Sequence, residues 1–203
     1  MDEHPRCLIV PGLDNSGPDH WQSRWEQTRD DCRRVEMGCW SVPIRNVWLS
    51  RLDQAIGDRG VPVILIGHSL GCLAIAWWAG LIGEEAGRRV AGALLVAPPD
   101  VDRADVHPVL RPFAPAPSKA LPFPSLLVAS RNDPYARFDR LERLARAWGS
   151  RLVDAGRCGH INAASGLGDW PAGEALLEDL IAGAGAGKGA ARPASRGEGL
   201  GQR

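Results

Sequence analysis

Val63-Ile64-Leu65-Ile66-Gly67-His68-Ser69-Leu70-Gly71 is the stretch that decides the fold. Four consecutive apolar residues, three of them β-branched, read as a strand buried on both faces. The periodicity carries that strand from Val61 to Ile66. Leu70 to Ile82 is long, rich in alanine, leucine and tryptophan, and has no proline, so it reads as a helix. Between them lies a Gly-x-Ser-x-Gly turn. A serine hydroxyl is a weak nucleophile unless it stands clear of the backbone, near a base and near N–H donors. A sharp strand-to-helix turn presents Ser69 in that way and needs small residues on both sides. The bare motif is common, and it is the strand before and the helix after that give it weight.

Working outward, further apolar runs alternate with helical patterns. Cys7 to Val10, Val90 to Ala97 and Ser125 to Ala129 are strand-like, with shorter runs at Arg34 to Met37 and Arg151 to Val153. Helical spacing covers Pro18 to Gln27, Asn46 to Ile56, Phe138 to Trp148 and Glu174 to Ile181. Continuous apolar strands separated by helices predict an α/β fold. Its expected form is a doubly wound, mostly parallel sheet of about six strands with helices on both faces. Ligands bind such sheets at the carboxyl ends of the strands, so the chemistry is expected just after each run.

Two further residues sit at such ends, in the chain order that a Ser-Asp-His arrangement on this topology requires. After Leu126-Leu127-Val128-Ala129 comes Ser130-Arg131-Asn132-Asp133-Pro134. After the last strand comes Cys158-Gly159-His160. His160 is the expected base. Asp133 is the expected acid that orients it, and Asp100, after Val96-Ala97-Pro98-Pro99, is its rival. His68 lies inside the turn, where its ring cannot act as base for the next residue. For the oxyanion, the amide of Leu70 is one expected donor. The second is expected from the turn after the first strand, Pro11-Gly12-Leu13. Pro11 has no N–H, and Gly12 lets the chain turn the Leu13 amide inward.

The whole chain bounds the alternatives. Its 203 residues suit one domain. Residues 1–183 are assigned to it, and 184–203, rich in Gly and Ala without apolar periodicity, to a disordered tail. The formal net charge is +0, which gives no electrostatic case for nucleic acid or an anionic membrane. No apolar run is long enough to span a bilayer. The polar, acidic start lacks the features of a signal peptide, so the expected location is cytoplasmic. The five cysteines match no zinc or redox spacing. Neither metal nor cofactor is expected, and no P-loop or dinucleotide fingerprint follows a strand.

One block remains, Ile9-Val10-Pro11-Gly12-Leu13-Asp14-Asn15-Ser16-Gly17-Pro18-Asp19-His20-Trp21-Gln22. Together with Gly67 to Cys72, Ala129 to Pro134 and Cys158-Gly159-His160, it resembles the small bacterial serine hydrolases of the YdeN type, which are grouped with retinoblastoma-binding protein 9. The likeness spans residues 6–182. It implies a compact α/β-hydrolase fold without a large cap, no cofactor, and hydrolysis of an ester or related acyl bond of a small molecule. It implies no contact with the retinoblastoma protein, since no Leu-x-Cys-x-Glu peptide occurs. His20 has no assigned role, and Trp21 and Trp25 are expected to pack. The segment from Asp100 to Pro124 carries Pro108, Pro112, Pro115, Pro117, Pro122 and Pro124. It is expected to be a stiff border to the site rather than a helical lid. Two other functions stay open: an acyltransferase using the same acyl-enzyme, and a non-enzymatic interaction protein using exposed tryptophans.

Overall fold

The computed structural model describes residues 5–57 and 62–188. Among these residues six strands, β1 (Cys7–Val10), β2 (Cys32–Arg34), β3 (Val63–His68), β4 (Val90–Val96), β5 (Ser125–Ala129) and β6 (Arg151–Asp154), form one sheet in the order β2-β1-β3-β4-β5-β6. Every pairing is parallel. Among the described residues, six α-helices accompany the strands: α1 (Trp21–Thr28), α2 (Arg45–Ile56), α3 (Leu70–Ile82), α4 (Glu85–Arg89), α5 (Phe138–Trp148) and α6 (Pro171–Lys188).

Strand alternation divides the core in two. Leu8, Val10, Val63, Leu65, Ala93 and Leu95 face one side, where they meet buried residues of α2, α3 and α5. Cys7, Ile9, Ile64, Ile66, Leu94 and Val96 face the other, against Trp21 and Trp25 of α1 and Leu177 and Leu180 of α6. Both faces are covered, which is why these strands read as unbroken apolar runs. The chain winds outward from β1 to β2, then returns to β3 on the other side of β1. The crevice at the carboxyl ends of β1 and β3 is therefore the switch point where such sheets bind ligands.

Several boundaries differ from the sequence pattern. β3 continues through Gly67 and His68, which pair with Leu95 and Val96 of β4. Its early part, near Val61, falls outside the described residues. The second strand is Cys32–Arg34 rather than Arg34 to Met37. It pairs with Cys7, Leu8 and Ile9 at the sheet edge, and the buried Val35 and Met37 belong to the loop that follows. α1 begins at Trp21 rather than Pro18, because His20 is its N-cap and accepts a hydrogen bond from the Gln22 amide at 3.1 Å. α6 runs to Lys188, so its last turns occupy the first residues assigned to the tail. The rest of that stretch, 189–203, falls outside the described residues.

The proline-rich excursion contains a 3-10 helix, Pro108–Phe113, with its first proline at the start. Indole N–H groups tie the excursion down: Trp77 donates to the Phe113 carbonyl at 2.9 Å and Trp148 to the Pro117 carbonyl at 2.7 Å. None of the eight tryptophans is exposed; six are buried and Trp40 and Trp77 are half-buried. That removes the aromatic patch on which an interaction-protein reading would rest. Among the described residues no helix is long and apolar enough to cross a membrane.

Candidate active site

Ser69 follows β3 and precedes α3 with φ 53° and ψ −122°, a conformation that side chains rarely adopt. Backbone strain of this kind persists where the surroundings over-determine it. Here the Ser69 amide donates to the Val96 carbonyl at 2.9 Å, and the Cys72 amide donates to the Ser69 carbonyl at 3.0 Å. The flanking glycines are required by packing. A Cβ on Gly71 would collide with the Val10 carbonyl oxygen, and one on Gly67 would lie 2.8 Å from Ile75 Cδ1.

Ser69, His160 and Asp133 come together from three separate strand ends. The His160 Nδ1 lies 2.9 Å and 3.1 Å from the two carboxylate oxygens of Asp133. A carboxylate accepts, so Nδ1 carries the proton and Nε2 is the bare nitrogen. The Ser69 hydroxyl, 2.9 Å from Nε2, donates to it. The Asp133 side chain is fully buried and that of His160 nearly so. Asp133 is held by the Tyr135 amide, which donates to its Oδ1 at 2.8 Å in an Asx-type turn. The Tyr135 ring meets the His160 ring edge-on at 4.5 Å.

Asp100 lines the same cavity but is engaged elsewhere. It accepts from the Arg140 guanidinium at 3.1 Å and from the Asp102 amide at 3.2 Å. Asp133 is thus the carboxylate that His160 meets.

The Pro11-Gly12-Leu13 turn lies against the serine. A Cβ on Gly12 would be 2.8 Å from Ser69 Cβ and 3.3 Å from the Leu70 nitrogen. Only a glycine lets the two segments approach so closely. Asp14 and Asn15 follow with φ 59° and 64°, and Arg34 braces this bend. Its guanidinium donates to Asn15 Oδ1 at 2.6 Å, the Ser16 carbonyl at 2.9 Å and Ser23 Oγ at 2.7 Å, while pairing with Glu26.

Sequence reasoning missed the supports of the His160 loop. The loop carrying His160 is held by Ser130 and Asn132, which accept from the Cys158 and Gly159 amides, each at 2.9 Å. His68 Nε2 donates to the His160 carbonyl at 3.0 Å, and Trp21 Nε1 to the Ile161 carbonyl at 2.8 Å. Trp25 donates likewise to the Asp169 carbonyl at 2.6 Å, so both tryptophans pack and also hold backbone. The rings of His20, His68 and His160 form a row with centroids 4.6 Å and 5.0 Å apart. Burial lowers the pKa of His20 to about 4, assisted by Arg34 and His160. Burial, then His160 and His20, hold His68 well below the ordinary histidine range. Both rings are neutral near pH 7.

The site opens into a cavity of about 730 Å³, bordered by Leu13, Tyr135 and, from the proline-rich excursion, Val106, His107, Pro108 and Leu110. Among the described residues, one group of side chains has metal-ligand geometry: Cys7, Asp31 and Cys32. It lies at the start of β1, at the opposite end of the strand from Ser69. Both thiols are buried and the Asp31 carboxylate is already paired with Arg29 at 2.9 Å.

The model of a family described as serine hydrolase matches residues 7–179. A solved structure described as a YdeN-like hydrolase, from Pectobacterium atrosepticum, is 34% identical, with 88% of this chain and 91% of that one covered at a TM-score of 0.76. The ydeN gene product of B. subtilis is 20% identical over 88% and 99%, at 0.69. Est1E from Butyrivibrio proteoclasticus is 15% identical over 90% of each chain, at 0.58. These last two share the fold. Nothing among the curated proteins matches the sequence. With the fold, the family match and a relative of this similarity in hand, the chain belongs to the serine hydrolase family, among its YdeN-like members, and is a hydrolase of compact α/β-hydrolase fold.

Proposed function

We propose that the protein hydrolyses a carboxylic ester or closely related acyl bond of a small molecule, through an acyl-enzyme on Ser69. The observation that carries this reading is the continuous line from Ser69 Oγ through the His160 imidazole to the buried Asp133 carboxylate. As Ser69 attacks the acyl carbon, its proton passes to His160 Nε2. Asp133 keeps the ring in the required tautomer and stabilises the imidazolium. The bond to the leaving group then breaks, and His160 returns the proton to the leaving oxygen. Water attacks the acyl-enzyme with His160 again as base, releasing the acid and the free serine.

The oxyanion is received by the amides of Leu70 and Leu13. Leu70 begins α3, where the helix end adds favourable partial charge. The contact of Gly12 with Ser69 and Leu70 supports the second donor. These steps require no cofactor.

The test is turnover of p-nitrophenyl acyl esters by wild type and Ser69→Ala, with product analysis in water containing an alcohol acceptor. The proposal expects a released acid, a burst of p-nitrophenol and no turnover by the variant. Transfer of the acyl group to the alcohol in preference to water would make the protein an acyltransferase. Unimpaired turnover by Ser69→Ala would overturn the mechanism.

A further inference from the structure

The loop that carries the base is bent in a way its sequence does not favour. Ile161, a β-branched residue directly after His160, has φ 48°, and Gly159 before it has φ 56°. A positive φ is a true outlier for a β-branched side chain, and neighbouring contacts must hold it there. Two side chains grip the carbonyls on either side of this bend. His68, inside the serine turn, donates its Nε2 proton to the His160 carbonyl. Trp21, at the start of α1, donates its indole proton to the Ile161 carbonyl. The donors are buried, at 5% and 1% exposure, so water cannot replace either bond without reorganising the core.

We infer that His68 and Trp21 are positioning residues that set the reach of His160 to Ser69 by clamping two successive carbonyls of its loop. The clamp couples serine and base directly. His68 is the residue before Ser69, so one side chain of the serine turn fixes the backbone of the base. His20 packs against the clamp. Its ring meets the His68 ring edge-on at 4.6 Å, and its Nδ1 is committed to the Gln22 amide. Its remaining nitrogen, Nε2, is buried and has no hydrogen-bond partner among the described residues, which fits a ring kept for its packing. The block His20-Trp21 of the opening sequence and the His68 of the serine turn thus acquire one shared role.

This inference rests on the catalytic reading of Ser69, His160 and Asp133, and the experiment separates the two. The variants are His68→Phe, which keeps a ring without a donor, His68→Gln, whose amide can donate from the Nε2 position, and Trp21→Phe. Each is compared with wild type for kcat and KM on a p-nitrophenyl ester, for the rate of fluorophosphonate labelling, and for the downfield proton of the His160–Asp133 hydrogen bond. A displacement of about 1 Å at a reacting group can cost about 100-fold. The expected result is a fall of about 10- to 100-fold in kcat and labelling rate for both Phe variants. KM should be unchanged and the downfield resonance broadened, while His68→Gln recovers most of the rate. Should His68→Phe fail to fold, Trp21→Phe and His68→Gln carry the same comparison. Wild-type rates in folded Phe variants, or a loss in His68→Gln as deep as in His68→Phe, would overturn the clamp. Failure of wild type itself to label would overturn the catalytic reading instead.

Discussion

Replacing Gly12 by alanine probes the proposed oxyanion site with a single methyl group. The added carbon would sit 2.8 Å from Ser69 Cβ, 3.2 Å from the His68 carbonyl oxygen and 3.3 Å from the Leu70 nitrogen. Ordinary carbon–carbon contact is about 3.5–4.0 Å, so the first turn and the serine turn must part by roughly 0.7 Å or more. Gly12 is not among the residues with positive φ, so alanine meets no backbone penalty and the effect is steric. Overpacking of this kind costs about 1–3 kcal/mol of stability, roughly 2–12 °C in Tm for a domain of this size. The catalytic cost is larger. Displacing one oxyanion donor lowers kcat by about 100- to 1000-fold, or about 3–4 kcal/mol. The assay pairs kcat on a p-nitrophenyl ester with a thermal melt. The expected variant is folded, slightly less stable and nearly inactive, with KM little altered. A Gly12→Ala protein with kcat within twofold of wild type would refute the assignment of this turn to the oxyanion.

Three further outcomes follow from the structure. Asp133→Asn should lower kcat by about 1000-fold or more, since the amide no longer holds His160 in the working tautomer. Asp100→Asn, whose carboxylate serves Arg140, should stay within about threefold, and kcat for the pair decides between the two acids. His20 gives the fold an acid sensitivity. Its pKa is about 4 when folded and ordinary, about 6.5, when unfolded. Between those values the unfolded chain binds more protons, so stability rises with pH and falls as pH drops from about 6.5 to 4. The span is worth about 3 kcal/mol. His20→Asn keeps an N-cap acceptor and removes the titration, so urea midpoints at pH 7 and pH 4.5 should lie closer together than in wild type. Equal separation in both proteins would contradict the assignment.

The parts of the fold that were legible in the sequence are those whose burial is two-sided. β3, α3, β5 and α5 announce themselves because unbroken apolar runs and clean helical periods have few other solutions. That Ser69, His160 and Asp133 lie together was legible for a topological reason: a parallel sheet brings every strand's carboxyl end to one edge. Spacing could not separate Asp133 from Asp100, as both follow strands. The decision lies in Arg140, which comes from α5 to occupy Asp100. β2 was misplaced because an edge strand of three residues, two of them arginine, is set by backbone pairing and not by an apolar pattern. The start of α1 was missed because a histidine N-cap is not among the usual signals. The supports of the His160 loop were invisible, since His68 and Trp21 reach carbonyls 92 and 140 residues away in the chain.

The central claim is that His160 and Asp133 activate Ser69, and covalent labelling tests it most directly. Wild type, Ser69→Ala and His160→Ala are treated with a fluorophosphonate, and adducts are located by intact mass and peptide mapping. The account predicts one adduct per wild-type chain, on Ser69, with none on Ser69→Ala and little on His160→Ala. Folded wild type that takes no label, or an adduct on another residue that survives Ser69→Ala, would contradict it.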